Sequence, residues 1–137
     1  MKIEYLPHTA DIRMKIEDLS MQDLFLTGLK GMNNILQKGF CDQIHRFYCR
    51  TRIETHSLDY TNLLVDFLSD ILSLSCTEKV IYCRIQFIEF SESNIVADIF
   101  GAPVNSFDQE IKAVTYHEAD IYKNSNDKWE TNIVFDI

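Results

Sequence analysis

The chain has 137 residues, 46% hydrophobic and 25% charged, with a formal charge of -8. Those values describe one globular domain spanning residues 1–137, long enough to bury its own core, and they exclude a disordered chain. Thirteen Lys and Arg against 21 Asp and Glu repel phosphate backbones, which argues against a broad nucleic-acid surface and leaves room only for a local basic patch.

A first strand is predicted over residues 2–6, before Pro7. In "DIRMKIED" Ile12, Met14 and Ile16 alternate with Arg13, Lys15 and Glu17, the period of a half-buried strand. Ser20 is the expected cap of a helix, with Asp23 three residues on. Its inward stripe is Met21, Leu24, Phe25, Met32, Ile35 and Leu36, and Gly39 is expected to end it. Residues 44–55 alternate again, with Phe47, Cys49, Thr51 and Ile53 on one face. Ser57 is the expected cap of a second helix carrying Tyr60, Leu64, Phe67, Ile71 and Leu74, flanked by Leu63, Leu68 and Leu72. So wide a stripe predicts a central helix, covered on most sides.

Beyond Glu78 the chain reads as strands. Ile81, Cys83, Ile85 and Phe87 make one and "NIVADIF" another, joined by the turn-like "SESN". A loop is expected around Gly101 and Pro103, followed by "EIKAVTYH", "EADIYK", the turn "NSND" and a last strand "KWETNIVFDI". Two helices against mostly antiparallel sheet make an α+β domain.

The four cysteines, Cys41, Cys49, Cys76 and Cys83, form no CxxC pair and no zinc-type spacing with histidine. Cys49 and Cys83 fall in strand-like runs, where a free thiol behaves as a small buried apolar group. "MKIEYLPHTAD" carries no long apolar leader and no stretch reaches membrane-spanning length. A reduced, cytoplasmic protein with no membrane partner is the expectation.

Phosphate loops, zinc-protease signatures and nucleophile elbows are absent, so the chemistry rests on polar residues at strand ends. Asp11 precedes the alternating strand, and Asp136 lies opposite the Ile133, Phe135 and Ile137 parity of the last one. With the terminal carboxylate of Ile137 they form an all-oxygen donor set suited to Ca²⁺, Mg²⁺ or Mn²⁺ rather than Zn²⁺, should folding bring them together. The residues alone leave the plainer readings standing. Asp11 then solvates a strand end, His8 is a loop hydrogen-bonder, Lys112 guards a strand edge and His117 is a turn residue.

Four blocks in order, "HTADI", "LDYTNLLVDFLSDIL", "IKAVTYH" and the terminal "VFDI", resemble the archease family from end to end. The resemblance implies a fold of two strand–helix–strand–strand modules, one inserted in the other. It implies a non-catalytic protein cofactor of the RNA ligase that joins 2′,3′-cyclic phosphate or 3′-phosphate ends to 5′-hydroxyl ends with GTP and Mn²⁺. Such a cofactor promotes guanylylation of the ligase and repeated turnover in tRNA splicing and RNA repair, and meets RNA only through the ligase complex. It further implies a divalent metal, Ca²⁺ first with Mg²⁺ or Mn²⁺ as alternatives, bound by Asp11, Asp136 and the Ile137 carboxylate. Lys112 takes the activating role and His117 an accessory one.

Two features depart from the family pattern. Arg13 stands where a small residue such as Gly usually follows "HTADI", and "FGAPVNSFDQE" carries fewer basic and histidine residues than its counterpart. Two other readings compete. One is a metal-dependent hydrolase or nuclease in its own right, with His117 as base. The other is a general chaperone whose metal is structural.

Overall fold

The computed structural model describes residues 1–6 and 11–137, so His8, Thr9 and Ala10 of the "HTAD" block lie outside the described residues. In chain order the elements are β1 (Lys2–Leu6), β2 (Asp11–Asp18), α1 (Met21–Leu36), α2 (Phe40–Gln43), β3 (Cys49–His56) and α3 (Tyr60–Glu78). They continue with β4 (Val80–Phe90), β5 (Asn94–Pro103), β6 (Ala113–Thr115), β7 (Tyr122–Lys123) and β8 (Trp129–Asp136). The strands form two antiparallel sheets, one in the order β1-β2-β8-β6 with β7 also paired to β8, the other β3-β5-β4. Helix α1 packs on β2 and β4, and α3 packs on β3, β4 and β6, so both helices lie between the sheets. The β3-α3-β4-β5 module is thus inserted within the module built from β2, α1 and the late strands. This is the α+β class predicted, with a short third helix added.

The alternating strand forms as read: Met14 and Ile16 are fully buried while Arg13, Lys15 and Glu17 take the other face. Ser20 Oγ accepts from the Asp23 N–H at 3.1 Å, which satisfies one of the four donors a helix start leaves open. The helix ends at Leu36, before the predicted stop. Gly39 instead supplies a left-handed turn, φ 73°, that opens α2; the signal was a real turn assigned to the wrong side of it. Asp59, not Ser57, caps α3, its Oδ1 accepting from Asn62 N–H at 2.9 Å. Ser57 instead donates its hydroxyl to Asp66, one turn further into the helix.

Gly101 lies inside β5 rather than in a loop. A Cβ there would come within 2.2 Å of the Ile81 carbonyl oxygen, so β4 and β5 meet closely only because the residue has no side chain. The aromatic rings of Phe25, Tyr60, Phe67, Phe87 and Phe90 join α1, α3 and β4; Phe25 and Phe90 meet edge to face at 5.1 Å.

One expectation is overturned. Cys83 is not a free thiol: it is bonded to Cys41, with Cα atoms 5.6 Å apart, so the chain is not fully reduced. The partners are 42 residues apart, and only the packing of α2 beside β4 brings them together. Cys49 and Cys76 are free. Among the described residues no helix is long and apolar enough to cross a membrane.

Candidate functional site

The register of β2 and β8 follows from hydrophobic burial. Met14, Ile16, Ile133 and Phe135 are all fully buried, and a slip of one residue would turn every one of them outward. With that set fixed, the outward residues must pair, and Asp11 comes directly opposite Asp136. Opposed like charges on neighbouring strands repel, and a cation shared by the two carboxylates would offset that repulsion. Ile137 follows, half-buried.

On the far side of β8, β6 pairs with the same residue. Ala113 stands opposite Asp136, and the Lys112 N–H donates to the Asp136 carbonyl at 2.7 Å. Asp136 is therefore held between β2 and β6, its side chain exposed, with exposed Lys112 at the adjoining sheet edge. Asp11, Lys112, Asp136 and Ile137, four residues from three parts of the sequence, meet at one end of the sheet. His117 does not join them: β6 runs away from Asp136, and His117 lies in the exposed turn beyond its far end.

Arg13, the departure from the family pattern, extends from the same outer face, and its Nη2 donates to Glu118 at 2.7 Å. It fastens the turn after β6 over β2. Among the described residues, Arg13 Nε, Thr115 Oγ1 and Asn132 Oδ1 are buried without a hydrogen-bond partner. They lie on the adjoining strands β2, β6 and β8, below the acidic pair.

Sequence reasoning missed how the "IKAVTYH" block is held. The Tyr116 hydroxyl donates to Asp66, and Ile121 N–H donates to Thr61 Oγ1 at 3.1 Å. Both acceptors stand near the start of α3, inside "LDYTNLLVDFLSDIL". The polar residues of that apolar helix anchor the segment that follows β6. The hydrogen bond to Asp66 raises the Tyr116 hydroxyl above its ordinary value, keeping it a donor.

Among the described residues no three His, Cys, Asp or Glu side chains gather closely enough to hold a metal. The candidate set is two side-chain carboxylates and the carboxylate of Ile137, and its all-oxygen chemistry suits a hard divalent cation.

Two sheets enclosing a pair of helices, with an acidic pair at the edge of one sheet, define a small α+β protein whose polar site lies on the scaffold rather than in a deep cleft. The model of the archease protein family (MTH1598/TM1083) matches residues 3–137, and the chain belongs to the archease family. The archeases of Methanosarcina barkeri and Methanosarcina acetivorans are 30% and 32% identical to it, over 98% and 99% of this chain and 94% and 96% of theirs. The solution structure of Methanobacterium thermoautotrophicum protein 1598 shares the fold at a TM-score of 0.77 and 18% identity, covering 98% of each chain. So does the crystal structure of a Thermotoga maritima archease, described as a possible chaperone, at a TM-score of 0.65 and 20% identity, over 100% of this chain and 98% of that one.

Proposed function

We propose that this chain is a non-catalytic activator of the RNA ligase that joins 2′,3′-cyclic phosphate or 3′-phosphate to 5′-hydroxyl RNA ends, promoting its guanylylation and multiple turnover in the cytoplasm. Family membership supports the cofactor role. The observation that carries the reading is the convergence of Asp11, Asp136, Ile137 and Lys112, the residues the family pattern picks out, at one sheet end. Asp11, Asp136 and the Ile137 carboxylate would hold the divalent cation, Ca²⁺, Mg²⁺ or Mn²⁺, whose charge would offset their repulsion and present a positive centre to the ligase. Lys112, tethered through its backbone to Asp136, extends from the same edge toward the partner. His117, remote from the carboxylates, is ill placed as a base, which favours the activator over a hydrolase.

The test is ligation of a 3′-phosphate RNA to a 5′-hydroxyl RNA by the cognate ligase, with substrate in excess. The expected result is a rise from about one product per ligase to many, lost in Asp136→Ala. Unchanged turnover would sink the reading. Hydrolysis of RNA without ligase would favour the hydrolase, and protection of unrelated proteins from aggregation the general chaperone.

A further inference from the structure

The outer face of the β3-β5-β4 sheet gathers most of the chain's arginines. The sequence holds five arginines, Arg13, Arg46, Arg50, Arg52 and Arg84; the last four lie on this face or lead into it. Arg50, Phe100 and Arg84 form one row across the three strands, and Arg52, Asp98 and Gln86 form the next. The Arg84 and Arg50 guanidinium carbons lie 4.6 and 5.4 Å from the centroid of the Phe100 ring. Tyr48, just before β3, is 79% exposed, and Arg46 Nη1 donates to its hydroxyl at 3.2 Å.

Asp98 organises the arginines without cancelling them. Arg52 grips it through Nε at 2.9 Å and Nη2 at 3.3 Å, and Arg50 through Nη2 at 2.7 Å. It is 4% exposed, covered by these two side chains rather than by the interior. The hydrogen bonds from Arg52 and Arg50 hold its carboxyl down at about 2, so it stays ionised and fixes both guanidiniums at any physiological pH. The guanidiniums remain open to solvent, with 61% and 56% of the Arg50 and Arg52 side chains exposed. Glu54 and Glu89 occupy the next row, opposite Val96, and so bound the arginine cluster on one side only.

We propose that this arginine–aromatic face is a docking surface for single-stranded RNA. An acidic peptide would match the charge and the guanidinium forks but leave the aromatic groups Phe100 and Tyr48 without a role. A single strand uses both features, phosphates against the arginines and unpaired bases against the planar groups. Its bases are free to stack, whereas those of a duplex are not. The choice of RNA over DNA rests on the proposed function; the charge and stacking argument does not. The surface lies on the other sheet from Asp136, so RNA contact and the acidic site are separable. The surface also qualifies the expectation that RNA is met only through the ligase.

The test is fluorescence anisotropy of a labelled 12-nucleotide single-stranded RNA with this chain alone, so failure of ligase activation leaves it untouched. Binding in the micromolar range at low salt is expected, as for non-specific sites. Arg50→Ala with Arg84→Ala should weaken it at least tenfold and reduce the salt slope by roughly 1.4, about 0.7 per lost phosphate contact to a single strand. Arg84→Lys should fall between, and Lys38→Ala should bind as the parent does; circular dichroism verifies folding of each variant. Absence of binding, or an unchanged double variant, overturns the proposal. So does equal binding of duplex RNA, or displacement by a poly-glutamate peptide at matched charge, which would assign the face to an acidic protein.

Discussion

Glu17 and Glu130 stand directly opposite each other on β2 and β8, and the Asn124 side-chain amide donates to both, at 2.7 and 3.0 Å. The Tyr122 hydroxyl also donates to Glu130, and Lys15 and Lys128 lie within 3.8 and 3.9 Å of Glu130 and Glu17. Here the protein supplies its own compensation for an acidic cross-strand pair. At the other end of the same two strands, Asp11 stands opposite Asp136, a second acidic cross-strand pair.

The hydrogen bond from Tyr122, then that from Asn124, holds the Glu130 carboxyl below its ordinary 4.5. A depressed folded-state value means that this stabilisation is present above pH 4.5 and is lost as pH falls through the lower folded value. Tyr122→Phe should therefore raise the Glu130 value toward 4.5 and move the acid limb of unfolding to higher pH. The cost at neutral pH should be on the order of 1 kcal/mol. Carboxyl chemical shifts and thermal melts across pH 2–7 check both.

Asp136→Asn should act with opposite signs in two solutions. In chelator it should stabilise the fold by roughly 0.2–1 kcal/mol, because a like-charge cross-strand pair is removed. In excess Ca²⁺ or Mn²⁺ the parent should melt higher and the variant should not respond, ligand at 100 times its dissociation constant being worth about 2.7 kcal/mol. One residue added after Ile137 should abolish the same response. Thermal melts with and without metal decide it; an intact response in both variants would remove these residues from the site.

Tyr116→Phe breaks the tie between α3 and the segment after β6 while leaving Lys112, Asp136 and Asp11 in place. The expected result is a small loss of stability, about 1 kcal/mol, with faster amide exchange at residues 116–121. Ligase activation should fall in proportion to that loosening. Unaltered exchange would mean that Thr61 alone holds the segment.

Reduction of the Cys41–Cys83 bond should lower stability by up to about 4 kcal/mol, the chain-entropy value for a closed loop of this size. Melts with and without reductant, beside Cys41→Ser, measure it. If reductant and the variant both leave the midpoint unchanged, the bond constrains nothing.

The sequence by itself determined the two long helices and most of the strands. Alternation in "DIRMKIED" and "NIVFDI" dictates which residues turn inward, and because the strand period is two, the opposed placement of Asp11 and Asp136 becomes readable once those strands are known to pair. The family blocks supplied the pairing that composition and spacing could not. Ser57 misled because a hydroxyl before an apolar run reads as a cap whether or not an aspartate two residues later takes the role. Gly101 misled because glycine marks a turn and a close strand approach alike. Only the tertiary structure decided that Cys41 meets Cys83, that Tyr116 hangs from Asp66, and that Arg50 and Arg84 bracket Phe100. Each joins residues from separate elements, and the distance between them is set by how the helices and sheets pack, a quantity that local periodicity does not carry.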